Sequence, residues 1–287
     1  MAHRAFFGIS TINRAFTLVE INVRSSSIQL ERVKTLPCSP IVDDLPAAEY
    51  QAAVNSLFPT STIKRKRYLG AICLAEQEVL VLSTRGDPRV VNDNSLWLYQ
   101  HLSQIETTPD MMRYHIVEHT QCRQADVIER EILDKWQQLA WPNSARLISL
   151  SAQRQSLFSV CRYFQLAVPL LLISSGNMLL MASSEDSEYY QTSSWQDIST
   201  LRQGITALFA VYRWQKEDME FQAIALLNDN PELDECISSC LHDLGLRSSL
   251  LDEYLELGCQ QKLSLPLMCG LGAAISCHYV QRVGHYA

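Results

Sequence analysis

The chain has 287 residues, of which 47% are hydrophobic and 19% charged, and its formal net charge at pH 7 is -7. This balance is ordinary for a globular protein, and the length suffices for one large domain or two ordinary ones with a sizeable core. A negative net charge gives no overall attraction for nucleic acid, so we expect no nucleic-acid partner.

No stretch of the sequence predicts a membrane span or a secretion signal. The longest strongly apolar run, from 166 to 173, has about 8 residues, whereas a spanning helix needs roughly 20. The N-terminus lacks a basic region followed by an apolar segment and a small-residue cleavage site. Nine cysteines are scattered along the chain, several in apolar surroundings, which favours reduced thiols over a disulfide framework. We therefore expect a cytoplasmic protein.

The first half of the chain opens with three predicted strands joined by short polar turns. Proline then interrupts the pattern, and helical and extended segments alternate. The predicted strands span residues 5 to 10, 16 to 23, 27 to 36, 68 to 74, 78 to 83, 111 to 118 and 146 to 150. The predicted helices span residues 46 to 58, 94 to 105, 125 to 140 and 152 to 164.

The same order of elements begins again roughly 160 residues later. Its predicted strands span residues 170 to 174, 178 to 183, 188 to 192, 221 to 227 and 248 to 251. Its predicted helices span residues 195 to 217, 231 to 244 and 270 to 280. A meander of three strands followed by helix and strand, present twice, predicts a two-lobed α/β architecture with its boundary near residues 165 to 169.

Five segments carry a resemblance to a known family along nearly the whole chain. They are FGISTINRAFTLVEI with IQLERVKTLP, RKRYLGAICLAEQEVLVLSTRGDP, SLWLYQHLSQIETTPDMMRYHIVEH, LLNDNPELDECISSCLHDLGLRSSLLD and SLPLMCGLGAAI. They resemble PilM-type proteins of type IV pilus assembly, including HofM- and ComA-like members, which are related to the cytoplasmic domains of GspL and BfpC. These proteins belong to the actin-like superfamily, with sugar kinases, Hsp70 and actin.

The resemblance implies an α/β, two-lobed, actin-like (ribonuclease H-like) fold with duplicated halves. The first lobe is expected at residues 1 to 166, with an inserted small α+β subdomain at about 41 to 120, and the second at 167 to 287. The chain departs from the family in one respect. Between residues 164 and 170 there is no room for the strand and helix that usually complete the first lobe.

In this superfamily, ATP lies between the lobes, and two hairpins hold its phosphates and metal. Asp supplies hard oxygen ligands for magnesium, and Gly permits close approach of the backbone. The family's Gly-Ile-Asp-Ile-Gly pattern falls on Gly8 to Ile12. The first Gly is kept, the Asp is replaced by Ser10, and the second Gly by Ile12.

The other two nucleotide-binding elements are altered as well. In the second hairpin, Asp-Ile-Gly falls on Ser174-Ser175-Gly176, which keeps Gly176 but again has Ser for Asp. The Gly-Gly pair that accommodates adenosine falls near Leu227 and Asn228. The resemblance therefore implies a degenerate nucleotide site without cofactor or catalysis, in which Ser10, Ser174 and Asn228 cap turns or strand ends.

An enzyme of the same superfamily is the alternative interpretation. Such an ATPase, or small-molecule kinase, would have an unusual phosphate site whose carboxylates come from elsewhere, for example from Asp229 or Glu20.

His115, His119 and Cys122 form a His-x₃-His-x₂-Cys cluster of residue types that suit zinc. No fourth ligand is evident and HIVEH is not His-Glu-x-x-His, so ordinary strand-end residues are the favoured interpretation. A zinc-binding structural protein is retained as an alternative.

The resemblance also implies a partner. This is a bitopic inner-membrane protein similar to PilN, whose N-terminal cytoplasmic peptide binds in a groove between the first lobe and its inserted subdomain. We expect residues from roughly 40 to 120 to form that groove. Binding to such a peptide attaches a protein to the inner face of the membrane indirectly, without an apolar tail of its own.

Overall fold

The fold is taken from a computed structural model of the chain. The structure describes residues 4–12, 15–24, 27–37, 47–58, 67–75, 78–85, 94–102, 112–119, 122–139, 141, 145–183, 188–215, 222–255, 257 and 262–283.

The first sheet has five strands in the order β3-β2-β1-β4-β8. Strands β1 to β3 form an antiparallel meander, while β4 and then β8 are added in parallel to β1. Alternate residues of β1 enter different hydrophobic clusters, so that Phe6 contacts one and Phe7 the other. Burial on both faces is typical of a central strand covered by helices. The strands are β1 Arg4–Ser10, β2 Ala15–Arg24, β3 Ser27–Pro37, β4 Arg67–Leu74 and β8 Ala145–Ala152.

The second sheet repeats this arrangement in the order β11-β10-β9-β12-β13. Its first three strands are again antiparallel neighbours, and β12 and β13 are again added in parallel to the first of them. The strands are β9 Leu170–Ser174, β10 Asn177–Ser183, β11 Glu188–Ser194, β12 Ala223–Asn228 and β13 Arg247–Leu250. The duplication predicted from the sequence is therefore present strand for strand.

A third, antiparallel sheet contains three strands in the order β5-β7-β6. Helix α2 covers one face of it, where Trp97, Leu98 and Leu102 pack against Ala125 and Val127. The strands are β5 Leu80–Arg85, β6 Met112–His119 and β7 Cys122–Glu129, and the helix is α2 Asn94–Leu102. Strand pairing thus assigns β4 to the first sheet and extends the small sheet to Glu129, beyond the limit of 120 expected for the insertion.

The remaining helices cover the two large sheets. They are α1 Ala47–Leu57, α3 Arg130–Gln137, α4 Gln153–Tyr163, α5 Ile198–Gln215, α6 Asp234–Asp243 and α7 Leu265–Val283. Nearly all of the predicted elements are present within a few residues of their expected bounds. Between Tyr163 and Leu170, the described residues contain no further strand or helix, as predicted.

Two predictions were wrong in detail. Residues 125 to 129, expected to begin a helix, belong to β7, and the helix starts only at Arg130. A short strand with consecutive buried residues and a helix directly after it give overlapping sequence patterns. The last helix begins at Leu265 rather than at 270, because Pro266 is tolerated in a first helical turn and does not delay the helix.

Helix α7 comes from the end of the chain but packs against β1, β2 and β4 of the first sheet and against α4. The approach is close enough to exclude a side chain at Gly8 and at Gly272. A Cβ on Gly8 would lie 1.9 Å from the Gly270 carbonyl oxygen, and one on Gly272 would lie 1.9 Å from that of Ser156. The expected division of the chain at residue 166 stays a prediction, and α7 lies across it.

One cluster of buried apolar side chains contains residues of both five-stranded sheets. Ile12 and Val19 belong to it from the first sheet, Leu172 and Leu179 from the second, and Met268 from α7. The two sheets therefore share a core. Among the described helices, none combines the length and the apolar character that a membrane span needs.

Candidate functional site

Two of the residues expected at a degenerate nucleotide site lie at equivalent positions of the two large sheets. Ser10 and Ser174 are the last residues of β1 and β9, which are the third strands of their sheets. Asn228 is the last residue of β12 and pairs in register with Ile173. All three residues thus lie at the ends of strands, where ligands often bind in α/β folds, and a nucleotide site there stays a prediction.

The described residues that follow β1 in the first hairpin, Thr11 and Ile12, are buried, and so is Ser10 at the end of β1. Ser10 has no exposed surface, and its Oγ accepts a weak hydrogen bond of 3.4 Å from the backbone N–H of Ile12. Ile12 is itself 5% exposed and belongs to the core cluster that contains both sheets. The backbone N–H of Thr11 donates to the Cys73 carbonyl oxygen. Ser10 thus caps its own turn, and the side chain of Ile12 is part of the core.

Gly8 has a packing role in the same hairpin. Helix α7 crosses β1 at this residue, so any Cβ here would clash with the Gly270 carbonyl oxygen. This clash accounts for glycine at the position. Close packing of α7 is therefore sufficient to explain glycine at position 8, without a bound phosphate.

The second hairpin is fixed by Trp195. The indole N–H donates to the Ser174 carbonyl oxygen at 3.1 Å, and the Trp195 backbone N–H donates to the Gly176 carbonyl oxygen at 2.9 Å. Gly176 has φ of 75°, which favours glycine in a tight turn. This role of Trp195 was missed from the sequence, since the indole reaches the hairpin from beyond β11.

The third element is a network of side chains around Asn228. Its amide donates to the Asn230 carbonyl oxygen and to the Asp234 carboxylate at 2.6 and 2.7 Å. Its own Oδ1 accepts from the Asn230 N–H at 3.1 Å. Asn228 therefore organises the turn after β12, and both the NH₂ group and the oxygen of its side-chain amide form hydrogen bonds there.

The two carboxylates proposed for an unusual phosphate site have other partners. Asp229 accepts from the backbone N–H of Leu265, at the start of α7, at 3.3 Å, and burial raises the pKa of its carboxyl. Glu20 lies 3.3 Å from the Arg32 guanidinium. Burial, and next the nearby Glu20 charge, raise the pKa of Tyr68 to about 12. The carboxylates of Asp229 and Glu20 thus each interact with a partner within the fold.

The suspected zinc ligands lie in the small sheet. His119 pairs in register with Cys122, and His115 pairs with Asp126. The side chains of His115, His119 and Cys122 lie outside the described residues, so the metal prediction is not tested. Within the part that is described, no three His, Cys, Asp or Glu side chains are grouped to hold a metal ion.

A groove of about 800 Å³ lies between the small sheet and the first large sheet. One wall is β8, the edge strand of the first sheet, and the opposite wall is formed by β6, β7 and α3. Helices α4 and α7 close one end with Ser159 and Ser276, whose hydroxyl oxygens are 2.7 Å apart. The lining extends from Leu74 to Tyr279, well beyond the range of 40 to 120 expected from the sequence.

A buried ion pair holds the small sheet beside this groove. Arg154 of α4 donates to Asp126 of β7 at 2.7 Å, and the two side chains are only 6% and 8% exposed. The pair joins the small sheet to the first lobe, so it helps to set the width of the groove.

Two α/β halves with identical strand order, joined by a shared core, define the actin-like fold. No protein-family model matches the chain, and no curated protein matches it. Among solved structures, it is similar to a chain of the PilM–PilN type IV pilus biogenesis complex, with 12% identity and a TM-score of 0.59. That alignment covers 96% of this chain and 98% of the other.

A protein of actin-like ATPase fold and unknown function from Bacteroides thetaiotaomicron is also similar. It has 12% identity and a TM-score of 0.52, with 90% of this chain and 97% of that chain covered. The predicted fold class is confirmed, and the resemblance to PilM-type proteins is confirmed at the level of the fold.

Proposed function

We propose that this chain is a non-catalytic scaffold of an inner-membrane platform that assembles a type IV pilus or a related secretion apparatus. Its partner is the N-terminal cytoplasmic peptide of a PilN-like bitopic membrane protein, through which it is held at the cytoplasmic face of the membrane. The observation that carries the proposal is the similarity, over nearly the full length of both chains, to a chain of the PilM–PilN complex.

The groove between β8 and the small sheet supports peptide binding. Its volume of about 800 Å³ is within the range of roughly 300 to 1,000 Å³ usual for ligand sites. Among the described strands, β8 and β6 are edge strands, and each pairs with a neighbour on one side. An extended peptide can add to such an edge by main-chain hydrogen bonds, while apolar groove residues such as Ile128 and Leu147 contact its side chains.

The chemistry of the hairpin tips supports the absence of catalysis. Ser replaces Asp at both positions where the fold presents a metal-orienting carboxylate, and Ile12 occupies the core instead of leaving room for a phosphate. Asp229 accepts a hydrogen bond from the Leu265 N–H, and Glu20 pairs with Arg32. We infer a nucleotide site that has lost its chemistry while keeping the hairpins.

Peptide binding is tested by filling the groove. Gln155 of α4 lines it and is half-buried, so Gln155→Trp inserts an indole without removing a core side chain. We expect this variant to weaken binding of a fluorescent PilN-type N-terminal peptide at least about tenfold in anisotropy titrations, a loss of roughly 1.4 kcal/mol. Gln203→Trp, on the exposed side of α5, is the matched control and keeps full affinity. Failure of the unmodified protein to bind at high micromolar peptide contradicts the proposal.

The alternative, an actin-like ATPase, is tested by ligand-induced stabilisation. A ligand that binds only the native state raises the melting temperature as its concentration exceeds Kd. We expect Mg-ATP to leave the melting temperature unchanged. A saturable rise of several degrees at micromolar nucleotide supports the alternative instead.

A further inference from the structure

Two buried polar atoms of the groove lining have no hydrogen-bond partner among the described residues. They are the Oδ2 of Asp126, whose side chain is only 8% exposed, and the Nε1 of Trp141. A buried acceptor or donor that stays unsatisfied costs free energy. An occupant of the groove that supplies a partner to either atom therefore gains affinity.

The carboxylate of Asp126 is directed from the small sheet into the groove. Along β7, Ala125 and Val127 pack against α2, whereas Asp126 and Ile128 line the groove. Successive side chains of a strand lie on opposite faces, so this alternation places Asp126 on the groove side of the sheet. Its Oδ1 accepts from Arg154 at 2.7 Å, which leaves Oδ2 for a second donor.

Trp141, which lies between α3 and β8 in the chain, supplies the other atom. Its ring packs against Phe7 and Phe58, with centroid distances of 5.7 and 6.4 Å. An indole N–H donates and does not accept, so its partner has to be an acceptor such as a carbonyl oxygen. One acceptor and one donor in the same groove match the N–H and C=O groups of a peptide main chain.

The rest of the lining favours a main-chain donor over a cationic side chain. Residues 147 to 152 of β8 line the groove without a gap. Since alternate side chains of a strand point to opposite faces, this unbroken run means that the backbone edge of β8 faces the groove. The charge of Asp126 is already balanced by Arg154, and Arg113 adds a positive charge to the lining. A cationic side chain beside Asp126 would therefore be buried without a charge to balance it.

We propose that Asp126 and Trp141 fix the register of the bound peptide along β8. Oδ2 of Asp126 accepts from one backbone N–H of the peptide, and Nε1 of Trp141 donates to one backbone carbonyl oxygen. This inference rests on the proposed function, because it takes a peptide as the occupant of the groove. Neighbouring side chains shield both atoms from water. Binding therefore includes a small separation of the walls, which brings each atom to about 2.7 to 3.2 Å from the peptide.

The contact with Asp126 is tested by methylating the backbone nitrogens of the fluorescent PilN-type N-terminal peptide one at a time. In anisotropy titrations, we expect one position at which methylation weakens binding to the wild type at least about tenfold. Asp126→Asn keeps an oxygen for Arg154 but replaces the free acceptor by an NH₂ group. In this variant, the same methylation is expected to change Kd by less than about twofold. Asp134→Asn is the matched control, since Asp134 pairs with Arg130 on the exposed side of α3, and it keeps the full effect.

The contact with Trp141 is tested by removing the indole N–H. Trp141→Phe keeps an aromatic ring beside Phe7, and we expect it to weaken binding of the unmodified peptide roughly threefold to tenfold. Trp136→Phe is the matched control and is expected to leave Kd unchanged. The Nε1 of Trp136 is likewise buried without a partner among the described residues, but this side chain lies in the core and does not line the groove.

The outcomes separate this inference from the proposed function. If the peptide binds but no methylation effect depends on Asp126, or if Trp141→Phe binds as tightly as the wild type, the inference is wrong and the proposed function stands. Absence of binding by the unmodified peptide overturns both. Circular dichroism checks that each variant is folded. Should Asp126→Asn fail to fold, the comparison of Trp141→Phe with Trp136→Phe decides the outcome.

Discussion

Two glycines that match a nucleotide-binding pattern have structural roles in this molecule. Gly8 lets α7 approach β1, and Gly176 provides the positive φ of a hairpin turn. Ser10 and Asn228 satisfy nearby backbone groups of their own turns. A match to a family pattern therefore identifies a position in the fold. The contacts in the structure are needed to explain why a particular residue type occurs at that position.

The close contact at Gly8 predicts a large effect of one methyl group. Gly8→Ala brings a Cβ to 1.9 Å from the Gly270 carbonyl oxygen, so either β1 or α7 must move. We expect a loss of about 1 to 3 kcal/mol in the free energy of unfolding, measured with urea. Ala52→Ser, on the exposed side of α1, is expected to change it by less than about 0.5 kcal/mol. Equal free energies of unfolding for the two variants would show that the close contact at Gly8 does not exist.

Asp229 predicts a pH dependence with a defined sign. Its folded-state pKa is raised, first by burial, so the native state binds the proton more tightly than the unfolded state. The contribution to stability is fully present below the unfolded pKa, near 4, and is lost as pH rises through the raised folded pKa. Asp229→Asn keeps an acceptor for the Leu265 N–H but does not titrate. We expect the variant to gain stability relative to the wild type between pH 4 and pH 7 in urea titrations, and a constant difference contradicts this.

At the scale of elements, the spacing of apolar residues and the positions of turn residues predicted nearly every strand and helix. The meanders were clear because short polar turns separate strands with apolar residues on both faces. Strand β7 was missed because its buried apolar residues, Ala125 and Val127, are only two positions apart before α3 begins. The lining of the groove beside β8 was not predicted, for a different reason. Its walls come from segments far apart in the chain, such as β6 and α7, and their contact depends on tertiary packing.

The ion pair between β7 and α4 gives a prediction at this scale. Asp126→Leu or Arg154→Met removes one member of a buried ion pair, so each is expected to cost about 3 to 5 kcal/mol. The double variant should lose much less than the sum, because no charge is left unpaired. Asp134→Ala removes the exposed pair with Arg130, where the two groups are 3.9 Å apart, and is expected to cost under about 1 kcal/mol. Additive losses in the Asp126 and Arg154 cycle would show that the two side chains do not interact.

At the scale of the whole molecule, the shared core couples the two lobes. Ile12, Leu172 and Met268 belong to one cluster, so separating the sheets exposes apolar surface of both. We expect one calorimetric transition, with equal calorimetric and van't Hoff enthalpies. Two resolved transitions would indicate lobes that unfold independently. A sequence predicts the two halves from their repetition, but it does not predict that apolar side chains fill the space between them.

The path of the chain also has a consequence for its synthesis. The first sheet is complete when Ala152 of β8 has been made, yet the helix that covers β1, β2 and β4 begins only at Leu265. At roughly 5 to 20 residues per second, the ribosome needs about 6 to 23 s to reach it. During that interval Val19 and its apolar neighbours have no cover from α7. The packing of the first sheet is therefore completed by a helix that is synthesised only after the strands of the second sheet.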